Sequence, residues 1–215
     1  MNSRTHALEL FPRDIESFVA EHGLPQFSTK QILNWIYKKQ INSTDAMTNI
    51  RKDHRDLFDK HHFFRRSKIL TTKNASDGTR KKLLEWDGGS KQTECVMIPT
   101  KTRKTACVSS QVGCPVGCTF CASGMEGLEG NLQVGQIVEQ IIRLGSDDIT
   151  NVVFMGMGEP LSNYDSVTRA IRILNAPWGL GIGARKITVS TVGLPPAIER
   201  LAKFDIPVTL ALSLH

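Results

Sequence analysis

The segment that decides the fold runs from Ala106 to Cys121 and reads ACVSSQVGCPVGCTFC. A short apolar strand, predicted over Thr105–Ser109, continues into a loop with Cys114, Cys118 and Cys121 at the spacing C-x3-C-x2-C. Structural zinc takes four protein ligands, whereas crowded cysteines of this kind are typical of iron–sulfur ligation. Three thiolates on a 4Fe–4S cubane leave one iron open. We therefore predict a 4Fe–4S site that binds a second molecule at its unliganded iron.

Two other interpretations of the cysteines stay open at the level of residues. A zinc knot would use the same three thiols, with Cys107 or His215 as the fourth ligand. A lone nucleophilic cysteine is less favoured, because no cysteine stands out with a paired histidine nearby. Cys95 and Cys107 each fall inside a predicted strand, where a cysteine is by default a small buried apolar residue.

Strands alternate with helices from residue 105 onward. Further strands are predicted over Asn151–Met155, Lys186–Ser190 and Pro207–Leu212, and helices over Val134–Leu144, Tyr164–Leu174 and Pro195–Lys203. This alternation predicts an α/β fold with parallel strands and right-handed crossovers. The carboxyl ends of parallel strands meet at one rim, where α/β proteins place their chemistry.

Three more motifs end strands at this rim: Gly156–Pro160, Ser190–Gly193 and Ser213–His215. The G-x-G-E-P turn lacks the third glycine of a dinucleotide fingerprint. Its two glycines let the backbone approach a ligand, and the Glu159 carboxylate can accept hydrogen bonds from a ligand ammonium. A hydroxyl residue often simply ends a strand, so Ser190 or Ser213 alone does not indicate a binding site. Four motifs on one rim together predict a binding site.

Two segments precede the alternating part. Residues 11–62 have helical periodicity, with helices expected from Pro12, after a Ser28 cap and from Thr44 through Phe58. Residues 67–99 have strand periodicity, over Lys68–Thr72, Lys81–Asp87 and Thr93–Pro99, with a tight turn at Asp77-Gly78. Glu94 lies in the third strand, where a solitary carboxylate usually faces solvent. We expect a helical accessory domain over 1–62, a basic β segment over 63–104 and the α/β core over 105–215.

The chain is basic, and the positive charge lies in its first half. The net charge is +6, and residues 1–110 carry 20 Lys and Arg against 12 Asp and Glu, while residues 111–215 carry 7 against 9. This asymmetry is typical of a protein that grips RNA or DNA, although solvated surface charge also explains it. With no membrane-length apolar run and no signal-peptide pattern, we expect a cytoplasmic protein that does not bind membranes.

Taken together, the motifs resemble the radical S-adenosylmethionine enzymes, and among them the RlmN group of dual-specificity RNA methyltransferases. The likeness extends over essentially the whole chain and is strongest in ACVSSQVGCPVGCTFCASG, NLQVGQIVEQ, NVVFMGMGEPLSNY, RKITVSTVGLPPAI and LALSLH. The resemblance implies a partial (β/α) barrel of the radical SAM type, of which the first four βα units are present. It also implies two cofactors, a 4Fe–4S cluster and S-adenosyl-L-methionine.

The resemblance further implies roles for particular residues. Cys114, Cys118 and Cys121 ligate the cluster, and S-adenosylmethionine chelates the open iron through its amino and carboxylate groups. The positions that contact this molecule are Gly158, Glu159, Ser190, Ser213, Leu214 and His215, with Glu159 at the amino group. Glu94 falls on the position of the proton acceptor, and Cys107 on the cysteine that resolves a covalent enzyme–RNA intermediate. The last two roles reverse the expectations drawn from the residues themselves.

The reaction of the resembled family is methylation of carbon 2 of an adenine in 23S rRNA and of an adenine next to the anticodon in tRNA. That carbon is electron-poor and resists polar methyl transfer, which is why radical chemistry is needed. Two S-adenosylmethionine molecules serve each turnover: one methylates a cysteine near the C-terminus, and the other is cleaved reductively. An electron donor such as flavodoxin and a disulfide bond are also implied.

The sequence departs from the family in one respect, since no cysteine follows Cys121. The methyl-carrying cysteine of the family lies beyond residue 215, and the family completes a six-unit barrel. We therefore expect a fragment that assembles a cluster but does not complete methyl transfer. Methylated adenosine formed by this chain from unmodified rRNA would contradict that. An exposed, aggregation-prone edge strand is expected over Val208–Leu212.

Two alternative functions remain beside carbon 2 methylation. One is methylation of carbon 8 of the same adenine, against which the Glu159-Pro160 pair and the Ser190–Gly193 text weigh moderately. The other is a zinc-stabilised RNA-binding module without catalysis. Metal analysis of anaerobically prepared protein separates the second from a cluster enzyme, since a cubane demands about four iron and four sulfide per chain.

Overall fold

The computed structural model describes residues 4–89, 91–145 and 149–214. Its strands are, in chain order, β1 Thr5–His6, β2 His62–Phe63, β3 Ser67–Asn74, β4 Arg80–Trp86, β5 Gln92–Pro99, β6 Lys104–Cys107, β7 Gln111–Gly113, β8 Leu128–Asn131, β9 Asn151–Phe154, β10 Ile187–Thr191 and β11 Thr209–Leu212. The α-helices are α1 Pro12–Glu21, α2 Ser28–Leu33, α3 Lys52–His61, α4 Val134–Leu144, α5 Tyr164–Asn175 and α6 Pro195–Ala202.

A seven-stranded sheet in the order β11-β10-β9-β6-β5-β4-β3 forms the centre of the molecule. The neighbours among β6, β9, β10 and β11 are parallel, and helices α4, α5 and α6 lie between them in the chain. Strands β3, β4, β5 and β6 pair antiparallel. The predicted α/β class with parallel strands is thus confirmed. The sheet also runs without a break across residues 104–105, where we placed a domain boundary, and that boundary stays a prediction.

The two faces of the sheet differ in burial because side chains alternate along each strand. On β9, Val152 and Phe154 are buried while Asn151 and Val153 are half-buried, and β10 alternates in the same way. The buried face joins one core with the apolar stripes of α4 and α5, including Ile137, Ile141, Ile171 and Leu174. We call the half-buried face, which carries Val153, the open face. It is the face that can receive a ligand.

The N-terminal helices follow the sequence prediction in part. Helix α1 begins at Pro12, buries Ile15, Phe18 and Val19, and ends before Gly23, whose φ is +65°. The expected Ser28 cap is wrong: the cap residue of α2 is Phe27, and Ser28 is buried inside the first turn. The expected third helix is interrupted, because Thr44–Ala46 forms only a 3-10 turn and α3 begins at Lys52.

A buried carboxylate ties the N-terminal region to α4. Glu139 is fully buried and lies 3.0 Å from His6 Nε2, and it accepts hydrogen bonds from the backbone N–H of Arg66 and of Ser67. Arg143, one turn later on α4, completes the ion pair at 3.1 Å. His6 is itself buried, and so is His62.

Both edges of the sheet are exposed. On β3 every residue after Ser67 faces solvent, and on β11 Leu210 and Leu212 are 40% and 53% exposed. The exposed apolar edge expected at β11 is therefore present. Within the described ranges, no helix has the length and apolar character needed to cross a bilayer.

Candidate functional site

The cysteine loop is held at its base by a short hairpin. Strands β7 and β8 pair antiparallel on either side of it, and Cys114 N–H donates to Gly127 O at 2.9 Å. Gly113 has φ +71°, and a side chain there would clash with the Gly127 carbonyl. Gly117 is also left-handed, at φ +66°, and lies against Gly124 within the loop. The loop is thus a closed, glycine-shaped turn rather than an open linker.

The three loop thiols are free and partly accessible. Cys114, Cys118 and Cys121 are each half-buried, and none of the five cysteines forms a disulfide. Burial raises the pKa of the Cys114 thiol, and the nearby Glu159, Cys118 and Cys121 raise it further. Cys114 is thus close enough to the other two thiols and to Glu159 to feel their charge.

The arrangement of the thiols bears on the zinc interpretation. Across residues 4–89, 91–145 and 149–214, no three histidine, cysteine or carboxylate side chains come close enough to share one metal ion. A zinc knot needs such convergence, whereas a 4Fe–4S cubane takes each thiolate on a different iron. Three thiolates at the spacing C-x3-C-x2-C thus fit a 4Fe–4S cluster that keeps one iron open.

The Gly156–Pro160 turn packs against the strand-end loop that precedes the cysteines. Gly156 N–H donates to Val108 O at 3.1 Å, and Met157 O accepts from the N–H groups of Ser110 and Gln111. A Cβ on Gly156 would lie 2.7 Å from the Ser109 hydroxyl. In the structure Gly156 lies against Val108 and Ser109, and Gly158 lies against Gln111. Their contact with a ligand stays a prediction.

The Glu159 carboxylate is 3% exposed and already has two backbone partners. Its Oε1 accepts from Leu161 N–H at 2.9 Å and its Oε2 from Val192 N–H at 3.0 Å. The sequence interpretation placed a ligand ammonium on this carboxylate. A carboxylate has about four lone-pair positions, so two remain for such a contact.

The sheet register brings Glu94 and Cys107 to one face. Cross-strand partners point to the same side of a sheet, as do residues two apart along a strand. Val96 on β5 pairs with Cys107 on β6, and Glu94 lies two residues before Val96. Cys107 pairs in turn with Val153 on β9. Glu94 and Cys107 therefore both lie on the open face.

The same rule carries across to the serines. Thr188 on β10 pairs with Val153, and Ser190 follows two residues later. Ser190 pairs with Ala211 on β11, two residues before Ser213. The two hydroxyls meet, with 3.1 Å between Ser190 Oγ and Ser213 Oγ. Leu214 is 81% exposed, and His215 lies outside the described residues.

Glu94 faces a cavity beside the cysteine loop. Its Oε1 lies 2.9 Å from Lys81 Nζ, and both side chains are less than half exposed. The cavity has a volume of about 430 Å³, and the residues that line it include Leu83, Glu94, Gly113, Ser123 and Met157. It thus joins the β segment, the cysteine loop and the Gly156–Pro160 turn.

The remaining two cysteines lie on opposite faces of the sheet. Cys95 is fully buried on the core side, and burial raises its pKa to about 12. Cys107 is only half-buried. Burial raises the pKa of its thiol, and a hydrogen bond with the Met155 backbone partly offsets this rise. The expectation of a buried apolar cysteine holds for Cys95 and is wrong for Cys107.

Two family models match the chain. One, described as the radical SAM superfamily, covers residues 108–215, half of the chain. The chain belongs to the radical SAM superfamily. The other, described as the ribosomal RNA large subunit methyltransferase N-terminal domain, covers residues 7–63. The radical SAM match includes the cysteine loop and the three other rim motifs.

Similar proteins with names agree with the resemblance to the RlmN group. A protein of Thermotoga neapolitana named "Probable dual-specificity RNA methyltransferase RlmN" is 46% identical over 97% of this chain and 62% of its own length. An Opitutus terrae protein named "Probable dual-specificity RNA methyltransferase RlmN 3" is 44% identical over 94% and 60%. This radical SAM chain thus spans about three fifths of the curated relatives that it matches.

One solved structure is also similar. A crystal structure of a radical SAM methyltransferase from Sphaerobacter thermophilus superposes with a TM-score of 0.93 at 38% identity. The match covers 98% of this chain and 64% of the other. The partial (β/α) barrel of the radical SAM type is thus confirmed.

Several buried polar residues of this radical SAM chain escaped the sequence interpretation. Gln111, Glu139 and Gln140 are fully buried, and Asn163 nearly so. Gln140 on α4 brackets Ser109 by accepting from its N–H at 2.8 Å and donating to its carbonyl at 2.9 Å. Asn163 donates to both Ser110 O and Leu132 O at 2.8 Å. In the sequence, each of them is a polar residue within an apolar stretch. That pattern indicates a buried polar group but does not identify the residue that it bonds to.

Proposed function

We propose that this chain forms the cofactor-binding and RNA-binding part of a methyltransferase that acts on carbon 2 of an adenine, in 23S rRNA and in tRNA. The observation that carries the proposal is the register of the central sheet, which puts Glu94, Cys107 and Ser190 on the open face beside the cysteine loop. The names of the relatives support the RNA methyltransferase class.

In this proposal Cys114, Cys118 and Cys121 hold a 4Fe–4S cluster. S-adenosylmethionine would be held at the rim by Gly158, Glu159, Ser190, Ser213, Leu214 and His215. Together these cofactors supply a carbon-centred radical, the chemistry that an electron-poor ring carbon requires. Support comes from the free, half-buried thiols and from the paired hydroxyls of Ser190 and Ser213.

The open face supplies the polar steps on the adenine. Glu94 accepts the proton lost from the ring carbon, and the adjacent Lys81 ammonium keeps the carboxylate oriented toward the cavity. Cys107 would attack the sulfur that links the enzyme to the methylated adenine. An S–S bond would form as the C–S bond breaks, and the released electron pair would take up a proton on that carbon. Burial raises the pKa of the Cys107 thiol, which favours its protonated form.

Nucleoside analysis in cells tests the substrate and the position. A host without endogenous carbon 2 methylation, expressing the whole reading frame that encodes this chain, is expected to accumulate 2-methyladenosine in its 23S rRNA. The Glu94→Gln variant is expected to lower that product by at least tenfold, as removal of a general base does. Chromatography against standards separates 2-methyladenosine from 8-methyladenosine. Formation of 8-methyladenosine would contradict carbon 2 methylation and support the carbon 8 alternative. If neither 2-methyladenosine nor 8-methyladenosine is formed, the proposal is overturned.

A further inference from the structure

The cysteine loop and the Gly156–Pro160 turn are joined by one side chain, that of Gln111. It is fully buried on β7, directly before the loop. Its Oε1 accepts from Glu159 N–H at 2.8 Å, and its Nε2 donates to Asn131 Oδ1 at 2.7 Å. A single amide thus bonds to both the turn and the β7–β8 hairpin that carries the cysteines.

Only a side chain with one acceptor and one donor at this length satisfies both partners. The backbone N–H of Glu159 must donate, which fixes the Gln111 oxygen toward the turn and its nitrogen toward Asn131. A carboxylate would place an acceptor against Asn131 Oδ1, and an apolar side chain would leave the Glu159 N–H without its partner. A buried N–H without a partner is costly, so the turn would move.

Steric contact reinforces the same junction. Gly158 has φ +96°, and a Cβ on it would lie 2.5 Å from Gln111 Cβ. The turn therefore rests directly on the Gln111 side chain. From Glu159 the connection continues to the third rim motif, since its carboxylate accepts from Val192 N–H at 3.0 Å. The chain of contacts from Asn131 through Gln111 and Glu159 to Val192 spans three of the four rim motifs.

We propose that Gln111 is a positioning residue for cofactor binding, whose amide sets the distance between the cysteine loop and the turn Gly156–Pro160. The inference rests on the proposed function, in which these two elements hold the cluster and S-adenosylmethionine. Gln111 itself need not touch either cofactor. Its loss should weaken S-adenosylmethionine binding while the cysteines still take up iron.

The test compares Gln111→Leu with the unmodified chain after anaerobic reconstitution. We expect equal iron and sulfide per chain, but an S-adenosylmethionine Kd roughly 10-fold to 100-fold higher by equilibrium dialysis. The change in the electron paramagnetic resonance signal of the reduced cluster on addition of S-adenosylmethionine should be diminished. In the cofactor-free chain, hydrogen exchange at Gly156–Glu159 should be faster in the variant.

Three further variants separate positioning from general stability. Thr93→Val removes a buried hydrogen bond from Trp86 Nε1, at 2.9 Å, and should lower stability without altering the Kd or the exchange of the turn. Asn131→Ala removes the acceptor of Gln111 Nε2 at an exposed site, and should raise the Kd. Asn131→Asp keeps that acceptor and should restore binding. This last pair tests the proposal even if Gln111→Leu does not fold.

An S-adenosylmethionine Kd in Gln111→Leu within about twofold of the unmodified chain, at equal iron content, would overturn the positioning role. Equal values for the two Asn131 variants would overturn it as well. If the unmodified chain takes up neither cluster nor S-adenosylmethionine, the proposed function fails. In that case the exchange rates at Gly156–Glu159 still decide whether Gln111 positions the turn.

Discussion

Gly158 is required as glycine for two independent reasons. Its backbone is left-handed, at φ +96°, and a Cβ would press on Gln111. A Gly158→Ala substitution should therefore destabilise the fold by roughly 2–5 kcal/mol, the sum of a left-handed penalty and an overpacking strain. Urea unfolding monitored by circular dichroism measures this cost.

The matched control is Gly89→Ala, because a Cβ at Gly89 meets no atom within 4 Å. It should leave the free energy of unfolding within about 0.5 kcal/mol of the unmodified value. Equal effects of the two substitutions would show that the turn does not rest on Gln111.

The five thiols should differ in reactivity in the cofactor-free chain. Cys95 is fully buried with a pKa raised to about 12, whereas the three loop cysteines are partly accessible. Alkylation followed by peptide mass spectrometry should modify Cys114, Cys118 and Cys121 at least tenfold faster than Cys95, since the accessible thiolate is the reactive species. Denatured protein provides the control in which all five react. Labelling of Cys95 at the rate of the trio would contradict the assigned sheet faces.

At the residue level, sequence reasoning identified the cysteine loop and the rim motifs because their spacing is local. It could not place Glu94 and Cys107 on one face, since their shared face follows from the β5–β6 register, which strand propensity does not specify. It also missed Gln111, whose partners Asn131 and Glu159 lie 20 and 48 residues away.

Among the elements, α4 contains the buried carboxylate Glu139, which makes the stability of the fold depend on pH. Burial raises the pKa of Glu139, but hydrogen bonds from His6, from the Arg66 backbone and from Ser67 outweigh it and lower that pKa to about 2. A carboxylate with a lowered pKa stabilises the fold above its unfolded pKa, and this stability is lost as pH falls toward the folded value. The window therefore runs from about pH 5 down to about pH 2.

The free energy of unfolding should fall by about 3 kcal/mol across that window from this group alone. Glu139→Gln should be less stable than the unmodified chain at pH 7, and its unfolding free energy should depend less on pH between 5 and 2. Urea titrations at several pH values give the comparison. The exposed Glu199→Gln on α6 is the control and should keep the original pH dependence. If Glu139→Gln keeps it too, the buried junction does not stabilise the fold in this way.

Element boundaries were predictable where a pattern was long and its end was marked. Helix α4 has the expected bounds because its apolar stripe is continuous and Gly145, at φ +96°, ends it. Strands β7 and β8 were missed because three or four residues show no alternation, and their pairing depends on the cysteine loop between them. The Ser28 cap failed since the chain already adopts helical angles at Phe27, where φ is −64° and ψ −17°.

For the molecule as a whole, the uneven charge predicts how RNA binds. Lys68 and Lys73 are exposed on the edge strand β3, in the basic half of the chain. Their double substitution by alanine should weaken binding of an rRNA fragment and lower the slope of log Kd against log salt by about 1 for each phosphate that the protein no longer neutralises. Lys203→Ala, exposed in the near-neutral half, should change neither. Equal effects of the two changes would remove β3 from the RNA surface.

At this scale the alternation of strands and helices predicted the α/β core with parallel strands, and the resemblance to radical S-adenosylmethionine enzymes implied the partial barrel. It did not predict that the antiparallel β segment joins the same sheet. That depends on the pairing of β5 with β6, and strand propensity does not specify which strands pair. That continuity is what brings Glu94 beside the cysteine loop.

The most direct test of the central claim is metal and sulfide analysis of the anaerobically reconstituted 215-residue chain. A brown protein with about four iron and four sulfide per chain is expected. The Cys114→Ala, Cys118→Ala, Cys121→Ala triple variant should hold none, while Cys95→Ala should hold the full amount. A colourless chain with one equivalent of zinc, or a triple variant that retains the cluster, would contradict a 4Fe–4S site at these three cysteines.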